Sequence, residues 1–186
     1  MKDMYRATSA DRTKKIAYIS MFAAIIAVCA QISIPLPGGV PITLQTWAVA
    51  LSGVVLGAKA GAMATVVYIL LGAVGIPVFT NLGAGVGIIL GPTGGFILSF
   101  PLQAFLSGIG TGKKHIAWLL AGLLAGTVVN LSAGMVFFSF VLSTNLQAAF
   151  AAAVLPFIPG EIVKIILVAV VGRSINFALA KSGIAV

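Results

Sequence analysis

Acidic side chains are almost missing from this chain: Asp3, Asp11 and Glu161 are the only three among 186 residues, and two of them fall within the first eleven. That scarcity removes paired-carboxylate hydrolysis and leaves nothing to orient the single histidine, His115, in a nucleophilic triad. His115 has neither a second His nor an acid beside it, so it offers no metal or proton-relay site. Cys29 is the one cysteine, which excludes an intramolecular disulfide, a CxxC redox motif and a multi-cysteine metal site; it reads as a buried thiol. Charge as a whole is scarce, at 8% of residues against roughly 25% in soluble domains. What takes its place is apolar: 60% of the chain is hydrophobic, and the mean hydropathy is +1.18. The composition is that of an integral membrane protein with no enzymatic machinery.

The charge that is present is mostly basic, giving a net +8. It forms no dense patch with interleaved aromatics, so nucleic acid is not the expected partner; topology is. A bilayer core of about 30 Å takes roughly 20 apolar residues per helix. Four segments meet that need, at about 16–34, 93–110, 116–142 and 160–180. Residues 44–75 form either one broken span or two short ones of about 14 residues each, split at Lys59 in "GAKAG". The positive-inside rule decides between them. With two short spans, Lys59, Lys113, Lys114, Arg173 and Lys181 join Lys2, Arg6, Arg12, Lys14 and Lys15 on the cytoplasmic side, leaving only Lys164 opposite. A single span would strand Lys59 in lipid and send Lys113, Lys114, Arg173 and Lys181 outside.

The expected fold is therefore an all-α membrane protein: one transmembrane domain over 1–186, with a basic cytoplasmic tail at 1–15 and a six-helix bundle at 16–181. Both termini are cytoplasmic. The long outer segments at 31–46, 75–95 and 143–160 are rich in Gly and Pro and uncharged. Such backbone must pack within protein or line a cavity rather than face lipid, so the outer half of the bundle is where a ligand pocket is expected.

Within "FIPGEIVKII", Pro159 and Gly160 open the last helix and place Glu161 in its first turn, where the helix dipole favours an acid. Lys164 lies one turn further on, on the same face. Two readings are open: a self-contained ion pair near the interface, or a polar site facing the bundle interior, where membrane-depth charges usually serve a function. Gln45 and Asn81, with Gln31, Thr43 and Thr93 behind them, are further polar candidates on the same side. Asn130 is mid-span, where interhelical hydrogen bonding is expected. Two glycine-rich runs fail as nucleotide sites. In "GAGVGIILG" the third fingerprint position is Ile88, and in "GTGKKH" the first phosphate-loop glycine falls on Ser107, with Lys114 where Ser or Thr is needed. On the first helix, Ser20 with Ala24 and Ala23 with Ala27 are small-xxx-small pairs that suit close helix approach, inside the bundle or toward a partner.

Four stretches, "PLPGGVPITLQT" (35–46), "LGAVGIPVF" (71–79), "LGPTGGFILSF" (90–100) and "FIPGEIVKIIL" (157–167), resemble in order and spacing the BioY family, the biotin-binding S components of energy-coupling factor (ECF) transporters. The resemblance covers about residues 16–181. It implies a six-helix S component of a prokaryotic cell membrane that captures biotin at the outer face, with residues 35–46 as a lid, and works with a transmembrane coupling protein and two cytoplasmic ATPases. It implies no cofactor, biotin being the transported ligand. Ligand contacts carry over to Glu161, Lys164, Asn81 and Gln45, with Trp47, Phe79 or Phe157 as apolar walls. Docking to the coupling protein carries over to Ala23 and Ala27 or to Ser20 and Ala24. The family pattern has Asp more often than Glu at 161, and Glu161 reaches one methylene further. A rival reading is a self-sufficient, ion-coupled secondary transporter with Glu161 as its protonation switch, although no internal repeat of the kind such carriers show is visible.

Overall fold

In the computed structural model, which describes residues 9–36, 39–111 and 115–182, the chain is almost entirely helical. Six long helices carry the bundle: α1 (Ser9–Gln31), α2 (Gln45–Leu56), α3 (Ala58–Ala73), α5 (Gly94–Ile109), α6 (Ile116–Val141) and α8 (Ile158–Lys181). Two short ones, α4 (Val86–Ile89) and α7 (Leu146–Ala153), lie in the connections, and a two-stranded antiparallel hairpin, β1 (Ser33–Ile34) with β2 (Ile42–Thr43), joins α1 to α2. Three segments, Asp11–Gln31, Ile116–Val141 and Leu146–Lys181, are long and apolar enough to cross a membrane; α2, α3 and α5 are shorter apolar helices.

The break anticipated in residues 44–75 is real. α2 stops at Leu56 and α3 restarts at Ala58 through Gly57, whose φ of 81° is a left-handed conformation that glycine adopts without steric cost. Lys59 is exposed in the first turn of α3. Two boundaries differ from expectation. α1 begins at Ser9 rather than near 16, because helix needs no apolar residues where its side chains face out: Asp11 sits in its first turn, while Arg12, Lys14 and Lys15 are exposed. Residues 143–160 are not wholly irregular, since Asn145 accepts the backbone N–H of Ala148 at 2.8 Å and so caps α7.

α5 is the central element, packed on α2, α3 and α6, with α1 closing the α2–α3 side and α8 resting mainly on α2. The buried residues form two clusters. One is aromatic and lies under the hairpin, containing Tyr68, Phe79, Phe96, Phe100 and Phe157. The other lies toward the α2–α3 turn and is built of Leu51, Val54, Leu119, Leu123, Val168 and small residues. At this second end the helix backbones nearly touch: a Cβ on Gly53 would overlap the Ala104 carbonyl, and one on Gly61 would stand 2.6 Å from the Gly53 Cα. Such close approach is the usual way helices associate where the hydrophobic effect offers no drive between them.

Candidate functional site

α8 opens with Pro159 in its first turn, which costs no intrahelical hydrogen bond there. Glu161 and Lys164 follow one turn apart and face inward, only 6% and 9% exposed. Lys164 Nζ lies 2.8 Å from Glu161 Oε1. Across from them, at the start of α2, Thr46 completes a closed triad. Its hydroxyl accepts from Lys164 Nζ at 2.8 Å and donates to Glu161 Oε1 at 2.9 Å. Glu161 Oε2 receives no hydrogen bond among the described residues, and two partners leave one Lys164 proton unassigned. One acceptor and one donor remain for a guest.

Glu161, Lys164 and Thr46 line a cavity of about 210 Å³, bounded by the loop after the hairpin tip (Val40, Pro41), the start of α2, the 79–81 turn, α5, α6 and the start of α8. Its walls are largely aromatic and aliphatic. Phe96 and Phe157 stack with ring centroids 6.2 Å apart, and Phe79 and Phe100 are 1% and 2% exposed. A mostly apolar enclosure with a few converging polar groups is the usual form of a small-molecule site.

The sequence-predicted residues distribute around this cavity unevenly. Glu161, Lys164, Gln45, Asn81, Phe79, Phe157, Thr43 and Thr93 all line it. Trp47 does not. One residue step along α2 from Thr46, about 100° of rotation, turns it away from the cavity, to pack between the two apolar clusters. Gln31 also lies off the wall, yet it shapes it. Its Nε2 donates to the Phe79 and Ala27 carbonyls, each at 3.0 Å, while its Oε1 accepts Leu82 N–H at 2.8 Å. That bracket holds Asn81 and Leu82 at φ of 57° and 56°, a region that favours Asn and penalises Leu. Ser33 in β1 reaches Asn81 Oδ1 at 2.9 Å, tying the hairpin to the same turn.

Gln45 is 4% exposed and is fixed by Tyr68, whose hydroxyl stands 2.6 Å from Gln45 Nε2 and donates to the Val78 carbonyl at 3.1 Å. Asn130 makes the interhelical bonds expected of it, to the Phe96 carbonyl at 2.9 Å and to Ser99 Oγ at 2.8 Å, and it lines the cavity as well. Thr46, Tyr68, Phe96 and Phe100 were not singled out from sequence. Thr46, at the end of the 35–46 motif, and Phe96 and Phe100, within the 90–100 motif, carried a usable signal; Tyr68 lies outside all four motifs.

The two small-residue pairs of α1 separate. Ala23 is 2% exposed and Ala27 half-buried, so both are used within the bundle, whereas Ser20 and Ala24 are exposed. No group of three or more His, Cys, Asp or Glu side chains that could hold a metal occurs among the described residues.

Comparison with known proteins agrees with this architecture. The family model described as the BioY family matches residues 2–181. The chain is 43% identical over 153 residues to a probable biotin transporter BioY of Pyrococcus horikoshii, covering 82% of this chain and 90% of that one. It is 40% identical over 152 residues to the biotin transporter BioY of Thermotoga maritima, covering 81% and 89%. Among solved structures, the S component for biotin from an ECF-type ABC transporter superimposes with a TM-score of 0.82 at 29% identity, covering 91% of this chain and 94% of that chain. On the extent of these matches, the chain belongs to the BioY family.

Proposed function

We propose that this chain is the substrate-capturing S component of an ECF-type importer and that it binds biotin in the cavity beneath the hairpin. The observation that carries the ligand assignment is the Glu161–Lys164–Thr46 triad at one wall of an aromatic enclosure. Because the Glu–Lys pair is neutral overall and presents one free acceptor beside one free donor, it suits a group that offers an N–H next to a C=O. The ureido ring of biotin is such a group. A carboxylate placed there would face Glu161 Oε2 and be repelled, so the carboxylate tail belongs at the opposite, mouth side, near Asn81. The phenylalanine walls accommodate the thioether ring and aliphatic chain.

The surrounding topology follows the same reading. Six spans, three long and three short, place both ends and the α2–α3 turn in the cytoplasm and the hairpin and cavity outside. α2, at about 18 Å, is too short to span 30 Å alone, and the hairpin and the 79–83 turn occupy the depth it leaves. The ECF-type reading has the chain work with a transmembrane coupling protein and two cytoplasmic ATPases, in keeping with a sequence in which no nucleotide motor is legible. Of the two small-residue pairs of α1, the exposed Ser20 and Ala24 are the one available to dock them. The absence of any visible internal repeat in the sequence weighs against an ion-coupled carrier.

Isothermal titration of the purified chain should show saturable biotin binding that weakens at least a hundredfold in Glu161→Ala and in Lys164→Ala, about 3 kcal/mol for a charge-assisted network. Biotin methyl ester should keep most of the affinity. Unchanged binding in both variants would remove the triad from the site, and loss confined to the ester would reverse the ligand's orientation. Ser20→Leu should bind biotin normally and fail to co-purify with the coupling module.

A further inference from the structure

The buried face of α3 consists of Ala60, Gly61, Ala64, Thr65, Tyr68 and Gly72, and Tyr68 is the one large side chain on it. It is 0% exposed, yet it lies off the cavity wall. Within a bundle that spans a membrane, a buried hydroxyl has to find its partners inside the protein. The ring is seated first. It meets Phe79 edge to face, with centroids 5.6 Å apart and planes at 78°. One turn further along α3, Gly72 leaves room for that phenylalanine, since a Cβ there would overlap its ring. The Tyr68 hydroxyl is thereby held between the segment leading into the 79–81 turn and the start of α2.

The bonds of that hydroxyl have a fixed direction. A backbone carbonyl only accepts, so the Tyr68 proton goes to the Val78 carbonyl, 3.1 Å away. Toward Gln45, at 2.6 Å, the same oxygen can then only accept, and the group facing it is the Gln45 NH2. Gln45 Oε1 is left on the other side, 3.5 Å from the hydroxyl of Thr80, a residue of the cavity wall. Asn81 is fixed in the opposite sense. Ser33 Oγ donates to its Oδ1 at 2.9 Å, which leaves the NH2 on the wall for a guest.

We infer that Tyr68 is a positioning residue for this cavity: its hydroxyl sets the polarity of the Gln45 amide, so that the wall offers an acceptor at Gln45 and a donor at Asn81. Two amides of the same chemistry are thereby made to read opposite groups. A guest N–H is favoured beside Gln45, and a carboxylate is turned away from it toward Asn81. The effect on the guest rests on the biotin reading; the orientation of Gln45 does not, and it can be measured without a ligand.

Tyr68→Phe removes the hydroxyl and keeps the ring against Phe79, and the Val78 carbonyl retains Gln31 Nε2 at 3.4 Å, so the variant is expected to fold. In the full-length protein in neutral detergent, labelled with nitrogen-15 on glutamine, the side-chain amide of Gln45 is identified by the signal missing from Gln45→Met. Its protons should exchange slowly with water in the parent chain and about tenfold faster in Tyr68→Phe, as expected for one lost buried hydrogen bond. Gly53→Ala, which loosens the opposite end, should leave that exchange slow. Unchanged exchange in Tyr68→Phe would refute the positioning role whatever the cavity holds, and equal acceleration in Gly53→Ala would reduce it to general loosening. Isothermal titration reads the consequence. Tyr68→Phe and Gln45→Met should each weaken biotin about tenfold, and the double variant should bind no more weakly than either, because the hydroxyl acts through the amide. Additive losses would overturn the inference. A parent chain that protected the Gln45 amide but failed to bind biotin would instead overturn the ligand assignment and leave the orientation of Gln45 supported.

Discussion

The two ends of this bundle are made of different materials. Around the α2–α3 turn, Gly53, Gly61 and Gly108 bring backbones into contact, and the remaining space is filled mainly by Ala, Val and Leu, with Phe22 the one buried aromatic of that cluster. Beneath the hairpin the helices are held apart by Phe79, Phe96, Phe100 and Phe157, and the polar groups that remain are tied to one another. Small residues that clamp one end allow the other end to stay open without the bundle falling apart. A cavity in a helical membrane protein needs such a clamp, because no hydrophobic drive exists to close the helices around it.

That comparison can be broken at either end. The largest effect is expected at the open end. Lys164→Met strands a buried carboxylate and should lower stability by about 3 to 5 kcal/mol, read as a drop in Tm. Replacing both charges, as in Glu161→Met with Lys164→Met, should recover most of that stability while leaving biotin affinity lost, which would separate folding from recognition; a double variant as unstable as the single one would show that the triad is a structural element first. At the clamped end, Gly53→Ala drives a Cβ into the Ala104 carbonyl. It should cost about 1 to 3 kcal/mol of stability and leave biotin affinity within a few-fold of the parent. An affinity loss as large as that of the triad variants would show that the two ends are not independent. The smallest effect is expected from Gln31→Leu, which removes the bracket around Asn81 and should weaken biotin binding by about tenfold, or roughly 1.4 kcal/mol. Its effect should largely vanish in an Asn81→Ala background, since the two residues then act through one contact.

How much of this was legible in the sequence differs between the same two regions. Charge parity located Lys59 at a turn and divided 44–75 into α2 and α3, because basic residues in short loops report topology directly. Glu161 and Lys164 stood out because charge inside an apolar run is rare enough to be noticed. Thr46 did not, being an ordinary residue until α8 brings Glu161 against the start of α2, 115 positions later in the chain. Trp47 illustrates the reverse failure. Aromatic character and proximity to Gln45 suggested a wall, but a helical position one step from Thr46 points about 100° away from it. The α1 pairs were indistinguishable by spacing, and only the rotation of the helix sorted buried Ala23 from exposed Ser20 and Ala24. The short helix α7 escaped notice because its start depends on one capping side chain, Asn145, rather than on a long periodic pattern.

The hairpin has no linker between it and the polar site. β2 ends at Thr43, and Gln45 and Thr46 already belong to α2, while Ser33 in β1 grips Asn81 across the mouth. In kinetic terms, opening the mouth and loosening the groups that hold a guest are therefore one event rather than two. For a guest held as proposed, tethering the hairpin to the 79–81 turn is therefore expected to slow both entry and release, where a lid hinged apart from the polar site would leave the grip on the guest unchanged.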